Sequence, residues 1–344
     1  MGNSAVLKPS STSRLARWVR VLAVMSLAIG GHAESARAHG IIGQRFFPAT
    51  LAIDDPFVAD ELSLPTVQNV RRKSSGDETA GWETEVSAEC SKRLSRDLGL
   101  SIAGTLLIED PMRGPTIAGF DNMAVSAKYV FVNNAPHELL VSAGLEAEVG
   151  GTGQTRVGAE SFSMIAPQVF FGKGMGDVSD SLRFLKPISI TGAFALGLPT
   201  REHTTTTTVV DDEVEVEREL NARTFEWGLA LQYNLQYLQN FVQDVGLTAP
   251  FNRMIPIVEI AMASAVQGPS HTTGTINPGV LWFGRYIQLG LEAVIPINGN
   301  TEIGGAKQPQ VGLLAQVHFY IDDIWPEVFT WTPFSGVLGP TQPR

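Results

Sequence analysis

The sequence predicts an all-β fold, a twelve-stranded antiparallel transmembrane β-barrel with both termini in the periplasm. Three observations predict it. Apolar and polar residues alternate over stretches of about 10 to 14 residues, aromatic residues mark the ends of those stretches, and the connections between them are mostly short and long in turn. Alternation places successive side chains on opposite faces of a strand. Soluble strands usually run about 5 to 6 residues, whereas a strand crossing a bilayer at ~45° needs about 9 to 11.

The clearest stretch sets Phe225, Trp227, Leu229, Leu231, Tyr233, Leu235 and Tyr237 against Glu226, Gly228, Ala230, Gln232, Asn234 and Gln236. Tilted, each residue climbs ~2.3 Å, so this run rises roughly 28 Å, close to the ~25 Å apolar band of bacterial barrels. The other strands expected are 64–72, 82–94, 98–109, 121–133, 137–149, 158–172, 183–198, 254–267, 272–284, 286–297 and 308–321, with the first run at 222–236. Short connections at 95–97, 134–136 and 285 mark the periplasmic end, and long ones at 110–120, 150–157, 199–221 and 298–307 mark the outer end. The connections 173–182 and 237–253 are long for the inner end, 268–271 is short for the outer, and Leu238–Val245 suits a short helix. These directions put Tyr129, Phe131, Phe170, Tyr237, Trp282 and Phe319 in an inner aromatic girdle and Trp82, Phe162, Phe225 and Trp227 in an outer one.

Four basic residues (Lys8, Arg14, Arg17, Arg20) precede the apolar stretch Val21 to Ile29, and Ala36-Arg37-Ala38 offers a small-residue cleavage site. Residues 1–38 therefore read as a secretory signal, with the mature chain starting at His39. Without them the net charge is −14, which argues against nucleic acid as a partner. A single Cys among 344 residues excludes a disulfide scaffold and a multi-thiol metal site, and Cys90 shares the lipid-facing set with Trp82, Val86 and Ala88. No cofactor or metal is expected.

With apolar faces on lipid, the opposite faces line the lumen. They carry Glu83, Glu85, Glu89, Lys128, Glu146, Glu148, Glu226, Gln232, Glu259, Gln288 and Glu292. Such acids make a pore that favours cations or polar solutes, or they pair with rim arginines such as Arg93, Arg183 and Arg253 and fill a narrow bore. Residues 39–63 form an N-terminal segment before the barrel at 64–321. It is too apolar to hang free, with Phe46, Phe47 and Phe57 among its aromatic residues, so it shelters as a lumen plug or at the periplasmic rim. Asp54, Asp55, Asp60 and Glu61 would then meet basic residues. Residues 322–344 are expected as a periplasmic tail.

Enzyme readings have less behind them. His39-Gly40 is only a two-residue match to the copper-binding start of secreted polysaccharide monooxygenases. A membrane-embedded esterase or phospholipase needs a Ser, a His and an orienting acid, and His137, His203, His271 and His318 stand isolated in sequence. The tract from His203 to Glu219, five Thr followed by acids, reads as a solvated outer loop that extends a hairpin, or as a divalent-cation site bridging to lipopolysaccharide.

Several blocks together carry a resemblance: residues 45–50 (RFFPAT), 54–61 (DDPFVADE), 91–93 (SKR), 273–279 (TGTINPG) and 319–324 (FYIDDI). The sequence resembles a group of largely uncharacterised proteobacterial outer-membrane proteins, similar to barrels encoded beside meta-cleavage pathways of phenol degradation. The resemblance implies a channel or uptake protein in a Gram-negative outer membrane, passing small, often hydrophobic or aromatic compounds, and it transfers no site residues. It also implies contact with outer-membrane lipid, lipopolysaccharide and the barrel-assembly machinery. One departure stands out: residues 321–344 follow Phe319 and Tyr320, where such barrels usually end on an aromatic residue. A structural barrel that only presents surface loops is the remaining alternative to a channel or a hydrolase.

Overall fold

The computed structural model describes residues 40–73, 80–210, 213–267, 272–297, 310–329 and 332–333. The leader, its cleavage point at Ala38 and the outer connection at 298–307 lie outside the described residues. Long alternating segments become twelve barrel strands: β1 (Glu61–Arg72), β2 (Gly81–Arg93), β3 (Leu98–Pro111), β4 (Met123–Asn134), β5 (Leu139–Val149) and β6 (Met164–Gly174) form the first half. The second half is β7 (Ile188–Pro199), β8 (Thr224–Tyr233), β9 (Met254–Ala265), β10 (Thr272–Phe283), β11 (Ile287–Pro296) and β12 (Gly312–Tyr320). Consecutive strands pair antiparallel, and β12 pairs with β1, so the sheet closes and leaves no edge. Among the described residues no helix is long and apolar enough to cross a membrane.

Burial fixes which face is which. Ala230, Gln232, Glu259, Asn277, Gln288, Glu292 and His318 are at most 2% exposed, while Leu145, Leu231 and Leu291 are 50–52% exposed. Polar residues inside and leucines outside invert the pattern of a water-soluble sheet and match a barrel solvated by lipid. Cys90 lies on the outward face and is exposed.

The differences from the sequence expectation sit at strand ends. Alternation over 222–236 continues past the strand because Asn234 caps a helical turn, its Oδ1 accepting the Tyr237 N–H at 2.9 Å. Leu235–Tyr237 and Leu238–Val242 are helical, and Tyr237 is 5% exposed, so it belongs to no girdle. Strands expected from 158 and 183 start at Met164 and Ile188, since Thr155–Val157 and Asp180–Leu185 form 3-10 turns. Phe162 is buried in the loop before β6, and Phe170 points inward, its ring 4.4 Å from the Lys128 Nζ. Adjacent Phe170 and Phe171 make that parity ambiguous in sequence. The Thr/acid tract forms a hairpin outside the barrel sheet, His203–Val210 pairing with Glu213–Leu220.

Candidate functional site: the lumen and its N-terminal insert

Residues 40–60 pack against the inward faces of the barrel. The segment enters at the end with the short connections through a small hairpin, Ile41–Ile42 against Arg45–Phe46. Gly40 and Gly43 at its corners have φ of +71° and +63°, where a side chain is strained. Arg45 anchors this entry and is fully buried. Its Nε donates to Glu138 Oε2 at 3.1 Å, its Nη1 to the Pro187 carbonyl at 2.9 Å and its Nη2 to the Lys186 carbonyl, while the guanidinium lies 3.9 Å from the Tyr237 ring centre. Burial lowers the pKa of Arg45, with Glu138 opposing that shift. Burial, reinforced by Glu138, pushes the Tyr237 phenol up to about 12, so it remains a neutral donor to Glu138 Oε1 at 3.1 Å.

Replacing Arg45 by Ala strands Glu138 against a neutral phenol. Losing one partner of a buried pair costs about 3–5 kcal/mol. The expected result is a lower urea midpoint for the insert, followed by protease cleavage in residues 40–60, with the barrel band in semi-native electrophoresis unchanged.

Further in, Phe47 is fully buried with Ile42, Phe57, Val130 and Leu140. Residues 51–53 reach the middle of the barrel, where one carboxylate receives three successive backbone donors: Glu259 Oε1 accepts Leu51 N–H at 2.9 Å, and Oε2 accepts Ala52 and Ile53 N–H at 2.8 and 2.9 Å. Gln288 Nε2 donates to the Ala49 carbonyl at 2.7 Å. Two glycines make room on the wall, since a Cβ at Gly228 or Gly290 would lie 2.2 Å from Ile53 or 2.5 Å from Leu51. The segment then turns back, with Lys128 Nζ 2.8 Å from Asp54 Oδ1 and Ser142 Oγ donating to the Pro56 carbonyl at 2.7 Å. Burial raises the Asp55 carboxyl well above the usual carboxylate range, against the pull of Lys128. At the rim Asp60 meets Lys92 at 2.8 Å and Arg93 at 3.0 Å, and Arg93 also reaches Asp322 at 2.6 Å.

The acids of the wall divide into two kinds. Glu83 pairs with Arg72. Glu146, Glu148 and Glu226 take neutral donors instead: Gln168 at 3.5 Å, Asn122 at 2.9 Å and Thr224 at 3.0 Å. Of the expected rim arginines, Arg93 pairs with acids, whereas Arg183 donates to Gln243 at 3.2 Å. Insert and wall border several cavities, of which two bear on function. One of about 340 Å³ lies toward β1–β4 and β12 and is lined by hydroxyls, among them Ser63, Thr66, Ser87, Ser101, Thr105 and Ser126. The other, about 410 Å³, lies toward β5–β10, with Ile53, Phe170, Ala193, Ala195, Ala261 and Ala263 beside Glu146 and Glu226.

Sequence reading missed three contributions. Glu138 is the partner of Arg45, Glu259 is an acceptor for backbone amides, and Ser63, His318 and Glu61 form one chain. His318 Nδ1 is 2.9 Å from Ser63 Oγ, and its Nε2 is 2.9 Å from Glu61 Oε2. Of these three residues, sequence singles out only His318 for chemistry, as an isolated residue. Among the described residues no group of three or more His, Cys, Asp or Glu is placed to hold a metal ion.

No family model and no curated protein sequence matches the chain. Solved structures do. An outer membrane channel from Pseudomonas putida F1 aligns with a TM-score of 0.50 at 10% identity, covering 76% of this chain and 95% of its own. The chain has the fold of an outer-membrane β-barrel. The NanC porin (TM-score 0.42, 8% identity, 75% and 98% coverage) and the β domain of the Bordetella autotransporter BrkA (0.44, 11%, 76% and 99%) are also similar.

Proposed function

We propose that this barrel is a passive outer-membrane channel for small molecules, with periplasmic termini, and that residues 40–60 are a plug that gates it. The observation that carries this reading is the insert's seat: wall residues of β4, β5, β9 and β11 hold its backbone and side chains, with a cavity on either side. Cavities of this size fall at the lower end of small-molecule pockets, which run from about 300 to 1,000 Å³. The alanine and phenylalanine wall of the larger cavity suits a hydrophobic or aromatic solute, in keeping with the resemblance to barrels of phenol-degradation loci. Lipopolysaccharide surrounds the outer rim, and the outer hairpin stands above it. The assembly machinery reads β12, which ends in Phe319 and Tyr320 before the tail. Liposomes carrying the protein should admit small aromatic solutes faster than sugars of equal mass. Equal slow entry of both, with and without the insert, would remove the channel reading.

Charge sets a second expectation. Glu146, Glu148 and Glu226 accept from neutral groups and keep a negative lumen, so the pore prefers cations. In a potassium chloride gradient the reversal potential should show that preference and fade near 1 M salt, where the screening length is ~3 Å. The triple Gln variant should lose most of it. Anion selectivity in the unmodified protein would sink the idea.

A further inference from the structure

We propose that Ser63, His318 and Glu61 form a nucleophile, base and orienting acid that hydrolyse small carboxylic esters within the lumen, an activity separate from conduction. The three groups come from two neighbouring strands. Ser63 on β1 sits opposite His318 on β12, and Glu61 two residues earlier sits opposite Tyr320. Both contacts of the imidazole are 2.9 Å. An ionised Glu61 can only accept, so the ring proton sits on Nε2 and Nδ1 is left to take the proton of Ser63. That is the tautomer a general base needs. His318 is 1% exposed and Glu61 9%, while half-buried Ser63 opens onto the hydroxyl-lined cavity of about 340 Å³.

The strand is shaped for this placement. Between Ser63 and Thr66 the register of β1 slips by one residue against both β2 and β12. Such bulges re-aim side chains, and here Ser63 and Thr66, three apart, line the same cavity. Thr66 Oγ1 accepts from Gln316 Nε2 at 3.1 Å, which leaves the hydroxyl proton of Thr66 to donate toward a developing oxyanion. The cavity limits the acyl and alkoxy groups to a few carbons each, and its hydroxyls favour esters with polar substituents.

The reaction consumes only ester and water. Ser63 Oγ attacks the carbonyl carbon as its proton passes to His318 Nδ1. The tetrahedral intermediate collapses, the bond from carbon to the alkoxy oxygen breaks, and His318 protonates the departing alcohol. Water then attacks the acyl carbon, giving its proton to Nδ1. The bond to Ser63 Oγ breaks, the serine recovers its proton, and a carboxylic acid leaves. Ser63 and His318 are the catalytic residues; Glu61 is a positioning residue that acts through the ring.

The test uses full-length protein folded in detergent. A fluorophosphonate probe should phosphonylate Ser63, located by peptide mass spectrometry, and p-nitrophenyl acetate should turn over with saturation. Ser63→Ala and His318→Gln should each lower kcat by at least ~100-fold, the scale of general-base catalysis. Ser179→Ala, in the connection between β6 and β7, should leave it unchanged. Glu61→Gln should lower kcat with KM held and alter the pH profile, with Glu61→Asp restoring part of the rate, which a structural role would not do. An unlabelled Ser63 in the folded wild-type protein, or hydrolysis in Ser63→Ala equal to wild type, overturns the proposal.

Discussion

Deleting residues 41–60 while keeping residues 1–40 raises single-channel conductance several-fold and makes cells sensitive to bulky antibiotics. The insert is tethered at both ends, by Arg45 to Glu138 and by Asp60 to Lys92 and Arg93. Between them it fills the lumen with Phe47, Phe57 and the backbone of residues 51–53. Removing it joins the two cavities of about 340 and 410 Å³ into one bore, which in a twelve-stranded barrel is wide enough for hydrated ions. The barrel itself closes through β12 and β1 without the insert, so the truncated chain should still show heat-modifiable mobility. Planar-bilayer recordings and disc assays read the two effects. If the truncated barrel folds and both values match the full-length protein, residues 41–60 do not gate the path.

The strands were legible because lipid imposes a one-sided rule over ten or more residues. Each outward position must be apolar, and β8 and β11 announce themselves through Leu231, Leu289 and Leu291. Where lipid stops, legibility stops. Nothing in the alternation up to Tyr237 signals that Asn234 ends the strand; that depends on a cap hydrogen bond. The insert was visible as a segment too apolar for solvent, but its attachments were not. Those at mid-barrel join residues 206 to 239 positions apart, as between Leu51–Ile53 and Glu259 or between Ala49 and Gln288. The Ser63–His318 contact spans 255 positions. Barrel closure brings the first strand to the last, so chemistry shared between them leaves no trace in local spacing. Charge pairing was half legible: the carboxylates of the insert find Lys128, Lys92 and Arg93, whereas those of the outer lumen meet amides and hydroxyls because few basic side chains face inward.

Glu259→Ala opens the channel without weakening the barrel. The Glu259 carboxylate accepts from the amides of Leu51, Ala52 and Ile53. Truncation leaves three buried donors unmet, at about 1–3 kcal/mol each. Even ~3 kcal/mol in all moves the balance between seated and released insert by about a hundredfold, since 1.4 kcal/mol is tenfold. Against this stands one gain. Glu259 lies in side-chain contact with Glu292, itself 1% exposed, whose two carboxylate oxygens meet no donor. Two acids sharing a buried site do not both ionise, so the pair holds one buried charge, and removing Glu259 takes that charge out of the wall. The insert and the barrel therefore respond in opposite directions: open probability and proteolysis of residues 40–60 rise, while the urea midpoint of the barrel stays or increases. A barrel midpoint that falls while conductance and cleavage of residues 40–60 stay at wild-type values would mean that Glu259 supports the wall, and that the amides of residues 51–53 do not depend on it.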